Sequence, residues 1–410
     1  MSSGGGLIQL VAYGDQDVML TGDPQKSLWR QKYSRHTNYA LESIEQTIYG
    51  QIEYDSSVTF TLSRSGDMVT GLMAEVKLVR GDDSVDTFYP LETLFKSIEL
   101  YIGGQKIDTL DSNWFRLYCQ LYYNDTILTS YNDAANFGNE VTGQERTLYL
   151  PIPFFFSSFN TGLALPLIAL QYHEVEFRVN FGSAEHMQGI DTSTPPEVKI
   201  YADYVFLDST ERVWFAQNPH EYLITQVQKQ SQQISFSPYM MQRYNISLGF
   251  NHPVKMITWC TTRPDAVGQF TALSGETDDN TAAPIHSAGI QLNGRERFTE
   301  RPGKYFKNAN PWLCQNGFYL SSGIYTYNFG MNNSLKNNNT QTLNFSRVDN
   351  AVLYFKTKKA NLPYPVVSGT QTTEEQTYEI TSSLSMVEIY ALNYNKFRIM
   401  NGMGGLVYAN

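Results

Sequence analysis

Apolar and polar positions alternate with a period of two along much of this chain. Val58, Phe60 and Leu62 are spaced by threonines, and Ile98, Leu100 and Ile102 alternate up to Gly103-Gly104. Val175, Phe177 and Val179 alternate with charged residues, and Val198, Ile200, Ala202, Tyr204 and Phe206 form another such run. A period of two turns every second side chain to one face, which predicts half-buried β-strands. Residues 72–79 predict a further strand, with Gly81-Asp82-Asp83 as a turn. Gly103-Gly104 and Asn293-Gly294 sit between alternating arms and predict hairpins, because both pairs tolerate positive φ. Helical periodicity is nearly absent. One short helix is predicted over 208–217, capped by Asp208 or Ser209, with Glu211 in its first turn and Asn218-Pro219 after it. Many short strands punctuated by turns imply β-sandwiches or barrels, and an eight-stranded jelly roll closes most of its edges.

The pattern occurs twice. Val198-Lys199-Ile200-Tyr201-Ala202 returns as Val387-Glu388-Ile389-Tyr390-Ala391. Leu100-Tyr101-Ile102-Gly103-Gly104 is echoed by Ile290-Gln291-Leu292-Asn293-Gly294, and Val58, Phe60, Leu62 by Tyr244, Ile246, Leu248. The order is the same and the spacing nearly constant, which predicts two tandem copies of one unit. The expected plan is an extended arm over 1–24, a first jelly roll over 25–218, a connection over 219–233 and a second jelly roll over 234–410. The connection is polar, with Gln226, Gln228, Lys229, Gln230, Gln232 and Gln233, although Leu223, Ile224 and Val227 also suit a strand. Long polar loops are expected on a solvated face at 265–287, 332–340 and 369–375.

At 410 residues the chain exceeds one ordinary core. Its 28 Tyr and 23 Phe suit pleated, half-buried surfaces. A net charge of −10 and no Lys/Arg-rich run argue against direct nucleic-acid binding. Cys119, Cys260 and Cys314 are far apart with no CxxC pair, so reduced, buried thiols are expected rather than a zinc site. The chain opens Met-Ser-Ser-Gly-Gly-Gly, without a basic or long apolar region, and its longest apolar run contains Pro166. Synthesis and folding in cytoplasm are therefore expected.

Chemistry is hard to find. No two of the six histidines lie at i, i+2 or i, i+4, which argues against a cupin-like metal site. There is no GxSxG elbow, no phosphate loop and no HExxH. No catalytic, cofactor-binding or metal-binding residue is expected. Asp82-Asp83 and Asp278-Asp279 lack the spacing of a calcium loop. Arg295, Glu296, Arg297 and Glu300 are candidates for an ion-pair network at an interface, weighed against exposed hairpin-tip charges worth little. Of the Asn-x-Ser/Thr sites at Asn124, Asn245, Asn332, Asn338 and Asn344, only Asn332 and Asn338 lie in a loop suited to a glycan.

Seven blocks carry a family likeness. They are residues 4–14, 33–42 (with Arg35-His36-Thr37-Asn38-Tyr39), 151–156 (Pro-Ile-Pro-Phe-Phe-Phe), 163–167, 292–298 (Leu-Asn-Gly-Arg-Glu-Arg-Phe), 344–350 (Asn-Phe-Ser-Arg-Val-Asp-Asn) and 398–406. On these the chain resembles the major capsid proteins of nucleocytoplasmic large DNA viruses of algae and amoebae. It departs from them at Ser34, where a second arginine is usual, and over 337–343, where a Pro-Ser-Gly turn is usual.

The resemblance implies an all-β double jelly roll with few short helices, forming a homotrimeric, pseudo-hexagonal capsomer in an icosahedral shell assembled in the host cytoplasm. It implies no enzyme activity and no cofactor. The partners it implies are further copies of the chain, with minor capsid and penton proteins, an inner membrane only indirectly, and no direct nucleic acid. Leu7, Ile8, Leu10, Arg30, Arg35, His36, Asn38, Arg295 and Arg297 are the expected contacts between subunits or within the shell. Residues 265–287 and 332–340 are expected as outer loops, and the arm towards the inside. A carbohydrate-binding attachment module is the competing reading, but it would want exposed aromatic platforms on one loop face. A cupin-like enzyme would bind a transition metal.

Overall fold

The structure is a computed structural model. It describes residues 4–27, 29–31, 33–82, 89–137, 141–157, 160–236, 241–262, 285–314, 320, 323–330, 341–357 and 383–408. Compactness divides the chain after Asn38 into an N-terminal unit and a large unit that begins at Tyr39 and carries the sheets. The loops expected at 332–340 and 369–375, most of 265–287, and both glycan candidates, Asn332 and Asn338, lie outside the described residues.

The N-terminal unit departs from the extended arm expected. It forms a helix, Gly5–Val11, and a single turn, Val18–Thr21. Residues 7–11 contain no glycine or proline, and Gly14 and Pro24 bound the places where helix can run.

The large unit contains two sandwiches built to one plan. In the first half the principal strands are β1 (Tyr39–Gln46), β2 (Ser57–Thr61), β3 (Met68–Val79), β4 (Phe95–Ile102), β5 (Gln105–Asp111), β6 (Glu145–Pro151), β7 (Val175–Phe181) and β8 (Glu197–Leu207). One sheet runs β1-β8-β3-β6, with Leu165–Pro166 beside β3; the other runs β2-β7-β4-β5, with Ile48–Tyr49 beside β2. In the second half they are β9 (His220–Phe236), β10 (Arg243–Ser247), β11 (Pro253–Thr262), β12 (Ile285–Leu292), β13 (Arg295–Glu296), β14 (Ile324–Asn328), β15 (Ala351–Thr357) and β16 (Ser383–Met400). One sheet runs β9-β16-β11-β14, flanked by Leu343–Asn344 and Met403–Leu406; the other runs β10-β15-β12-β13, with Arg301–Pro302 beside β12. Adding eight to each strand number of the first half reproduces the order of the second, and the paired strands are antiparallel. That interleaved order, with the first and last strands adjacent, is the jelly-roll connection.

All three sequence echoes fall on corresponding strands: β2 with β10, the β4–β5 hairpin with the β12–β13 hairpin, and β8 with β16. The hairpin turns use the backbone expected of them. Gly103 and Gly104 have φ of 58° and 79°, and Asn293 and Gly294 have 48° and 76°.

Residues 219–233, expected as a connection, are strand in the structure from His220 onward. β9 pairs with β16 from His220↔Ile399 to Phe236↔Ser383. Its glutamines side with Leu223, Ile224 and Val227 because they find partners there: Gln228 Nε2 donates to the Asn393 side chain at 2.9 Å and Gln230 Nε2 to Ser247 O. The helix Ser209–Gln217 forms as expected, although Asp208 caps it without a side-chain hydrogen bond.

The longest of the helices that were not expected, Ser112–Tyr122 and Asp125–Ala135, fall between β5 and β6. Asp111 Oδ1 accepts from Trp114 N at 3.2 Å and Asn124 Oδ1 from Ile127 N at 2.9 Å, capping them. Trp114, Leu117, Tyr118 and Leu121 repeat at helical spacing and are buried.

Each sandwich has its own core. Phe60 and Phe177 stack at 4.7 Å in the first, among Val76, Ile98 and Ile200. Trp259, Phe306, Ile290, Leu353 and Ile389 fill the second.

Candidate functional site: the junction between the sandwiches

Strand β16 alternates between two environments. Val387, Ile389 and Ala391 enter the core of the second sandwich, whereas Tyr390 and Leu392 join the apolar cluster of the first. On β11, Ile257 and Trp259 point inward, and Met256, Thr258 and Cys260, on the other face, are buried as well. The sheet β9-β16-β11-β14 is thus covered on both sides, and the first sandwich covers the outer one.

Strand β5 and the helix behind it supply the opposing surface. Lys229 Nζ lies 2.5 Å from Asp111 Oδ2 and 2.8 Å from Glu388 Oε1. The Tyr390 hydroxyl donates to Asp111 Oδ2 at 2.8 Å, and Asn113 Nδ2 donates to Glu388 Oε2 at 2.6 Å. Trp114 packs on Tyr390 with ring centroids 5.5 Å apart. Further along, Val227 N donates to Asp108 Oδ1 at 3.1 Å and Gln226 Nε2 to Ile107 O at 2.5 Å. At the far end Leu406 N donates to Gln105 Oε1 at 3.1 Å, Tyr172 N to Gly402 O at 3.0 Å, and Phe155 meets Phe397 at 5.9 Å.

Burial sets the electrostatics. It raises the Asp111 carboxyl above its ordinary range against the pull of Lys229, and nearby Glu388 adds to the rise. Burial acts to lower Lys229, but Asp111 and Glu388 outweigh it and hold the ammonium firmly charged. Asp108 is pushed up to about 7 by burial, although the Val227 and Thr109 amides favour its anion. Two carboxylates sharing one ammonium leave a buried cluster that depends on every hydrogen bond it makes. Its groups neutralise and clamp one another. Among the described residues no group of three or more His, Cys, Asp or Glu is placed to hold a metal ion, and no helix is long and apolar enough to cross a membrane.

None of the residues expected at contacts is among those named at this junction. Leu7, Ile8 and Leu10 are exposed on the helix Gly5–Val11. Arg30, Arg35, His36 and Asn38 are exposed in irregular backbone, with His36 Nδ1 2.8 Å from Thr37 O. Arg295 and Arg297 are exposed at the β12–β13 hairpin. Among the described residues the ion-pair network considered around them does not form. Glu300 binds Lys356 at 2.9 Å instead, Glu296 accepts from the Tyr354 hydroxyl at 3.2 Å, and among the described residues neither arginine has an ion pair. Two cysteines, Cys119 and Cys260, are buried as expected, while Cys314 is only partly so. The junction itself was missed, because its members are scattered over β5, β9 and β16. The only available signal was polar residues on the outward positions of two strands that otherwise read as half-buried.

The comparisons with known proteins agree with this architecture. Residues 27–208 match the family described as major capsid protein N-terminus, and residues 211–405 match the large eukaryotic DNA virus major capsid protein family. The chain is 39% identical to the major capsid protein of Paramecium bursaria Chlorella virus 1, over 99% of this chain and 100% of that protein. It is 34% identical to the major capsid protein of Pyramimonas orientalis virus, over 99% and 100%. The solved PBCV-1 virus capsid contains a chain that superposes with a TM-score of 0.82 at 36% identity, covering 94% of this chain and 100% of that one. The Faustovirus major capsid protein shares the fold, with a TM-score of 0.73 at 11% identity over 96% of each chain. With both halves matched end to end and each folded as a jelly roll, the chain belongs to the major capsid proteins of large eukaryotic DNA viruses.

Proposed function

We propose that this capsid protein assembles as a homotrimer whose six similar sandwiches give a pseudo-hexagonal outline, and that such capsomers tile an icosahedral shell. The observation that carries the reading is the repetition of one strand order in both halves, joined by a buried, polar-locked junction. Two like bodies held at a fixed angle by one chain need only a three-fold axis to approximate a hexagon, and heterologous contacts of this kind close into a ring. The further copies of the chain are then the principal partners. Minor capsid and penton proteins fill the remaining positions, an inner membrane is met only indirectly, and an acidic chain makes no direct nucleic-acid contact. Assembly takes place in the host cytoplasm, and the protein acts as structure rather than as an enzyme. The exposed apolar arm residues Leu7, Ile8 and Leu10, together with Arg30, Arg35, His36 and Asn38, are contacts within the shell.

Light scattering on the purified chain tests the reading. At micromolar concentration the expected mass is about three times 46.6 kDa. A stable monomer in native salt contradicts it.

A further inference from the structure

The cluster that joins the sandwiches holds the parts of a condensation as well as an ion pair. Lys229 Nζ touches two acids from different elements, Asp111 Oδ2 at 2.5 Å and Glu388 Oε1 at 2.8 Å. The Asp111 side chain is 18% exposed and that of Glu388 9%. Lys77–Glu197 and Lys396–Glu221 are ion pairs too, but their glutamates are 53% and 43% exposed. Water competes for those groups, whereas the acids around Lys229 are left largely to one another.

The hydrogen bonds of the cluster call for a shared proton. The Tyr390 hydroxyl lies 2.8 Å from Asp111 Oδ2 and 3.0 Å from Glu388 Oε2. A phenol has one proton, so it serves one of these oxygens fully. The other contact is a full hydrogen bond when that carboxyl carries a proton and donates to the phenol oxygen. One ammonium, one carboxylate and one carboxylic acid then sum to zero charge, which burial favours. The ammonium is the resting form of Lys229. A neutral amine arises when its proton passes to Asp111, whose carboxyl burial already raises.

The surrounding groups suit attack of that amine on the acid. Asp111 Oδ1 accepts from Trp114 N at 3.2 Å, so a backbone amide already faces the oxygen that gains charge when the carboxyl carbon is attacked. Asn113 Nδ2 fixes Glu388 Oε2 at 2.6 Å, which leaves Oε1 beside Lys229 Nζ to relay a proton. Trp114 packs on Tyr390, and Lys229 Nζ lies 5.5 Å from the centre of the Tyr390 ring. Amine and acid are held in contact by the fold, which replaces a chance encounter in solution. The reaction has to occur only once per chain.

We propose that Lys229 and Asp111 condense into an intramolecular isopeptide bond, with Glu388 as the proton relay, so that the ion pair between the sandwiches matures into a covalent tie. Lys229 passes one proton to Asp111 and attacks its Cγ, forming the Nζ–Cγ bond. Glu388 relays a second proton from the nitrogen to Oδ2. The Cγ–Oδ2 bond then breaks and one water leaves. An ammonium and a carboxylate become an amide and water, and nothing is oxidised or reduced. Oδ1 remains as the amide oxygen and keeps the cap on Trp114 N. Chains that have not condensed keep the ion pair and its charges. The bond ties β5 to β9 within one chain, so it does not depend on how copies of the chain assemble.

The experiment weighs the full chain. Folded protein is incubated at neutral pH, then denatured and its intact mass measured. The expected mass is about 18 Da below that of the sequence, the loss of one water. Proteolysis and fragmentation are expected to give a branched peptide that joins Asp111 to Lys229. Lys229→Arg keeps a cation but has no amine to condense, and Glu388→Gln keeps an acceptor for Asn113 but relays no proton. Both are expected to retain the full mass, with circular dichroism to check that they fold. A folded parent that keeps its full mass overturns the proposal. So does a lost water without the branched peptide, as a succinimide would give. A folded Glu388→Gln chain that condenses as fast as the parent overturns the relay. If neither variant folds, the branched peptide of the parent still decides.

Discussion

Asp108 is the residue whose protonation couples most directly to the junction. Its folded pKa is raised to about 7 from an ordinary 3.8, so between those values the folded chain holds a proton that the unfolded chain has released. Its contribution to stability is complete below about pH 4 and is lost as pH rises through 7, by at most about 1.4 kcal/mol per pH unit. Asp111 is shifted in the same direction, so the parent should lose thermal stability between about pH 4 and 7. In Asp108→Asn the side-chain oxygen still accepts from Val227 and Thr109. The substitution should flatten that slope and raise the melting temperature at pH 8, as read by scanning calorimetry at several pH values; an unchanged slope would refute the assignment. The thiols should also separate by environment. Burial pushes Cys119 and Cys260 far up, and Cys314 less. Native alkylation followed by peptide mass mapping should modify Cys314 well before the other two.

Among the elements, the helix Ser112–Tyr122 helps join the halves through Asn113 and Trp114, and its sequence signals were weaker than those of the strands. Strands were legible because Val58-Phe60-Leu62 or Val198-Ile200-Ala202 alternates locally and needs no distant partner to be recognised. Trp114, Leu117, Tyr118 and Leu121 also follow a regular spacing. They lie in a segment rich in aromatic and β-compatible residues, where burial in the apolar cluster decides the outcome. β9 shows the converse. Its glutamines read as solvated linker until β16 is laid beside them. Packing should therefore outweigh capping. Trp114→Ala should cost about 3–5 kcal/mol, and Asn124→Ala, which removes only the cap of the next helix, about 1 kcal/mol. Denaturant midpoints of the two variants compare them, and equal losses would argue that local helix formation dominates.

At the scale of the molecule the two sandwiches are coupled through one apolar cluster. Residues from both halves share it, including Trp114 and Phe155 from the first and Tyr390 and Phe397 from the second. The two sandwiches should unfold in one calorimetric transition, since separating them exposes Tyr390 and Leu392 and strands the charges of Asp111, Glu388 and Lys229. Two well-resolved transitions would mean that the junction holds the sandwiches only weakly.

Taken alone, the residue pattern determined the β class, the hairpin turns at Gly103-Gly104 and Asn293-Gly294, and the repetition of one unit. Alternation, turn chemistry and echoed segments are local properties, written in neighbouring residues. Tertiary structure alone decided that β9 is a strand, that Glu388 and Tyr390 face the other half, and that Lys229 finds Asp111. Those facts depend on which distant side chains meet, and no stretch of neighbouring residues carries that information.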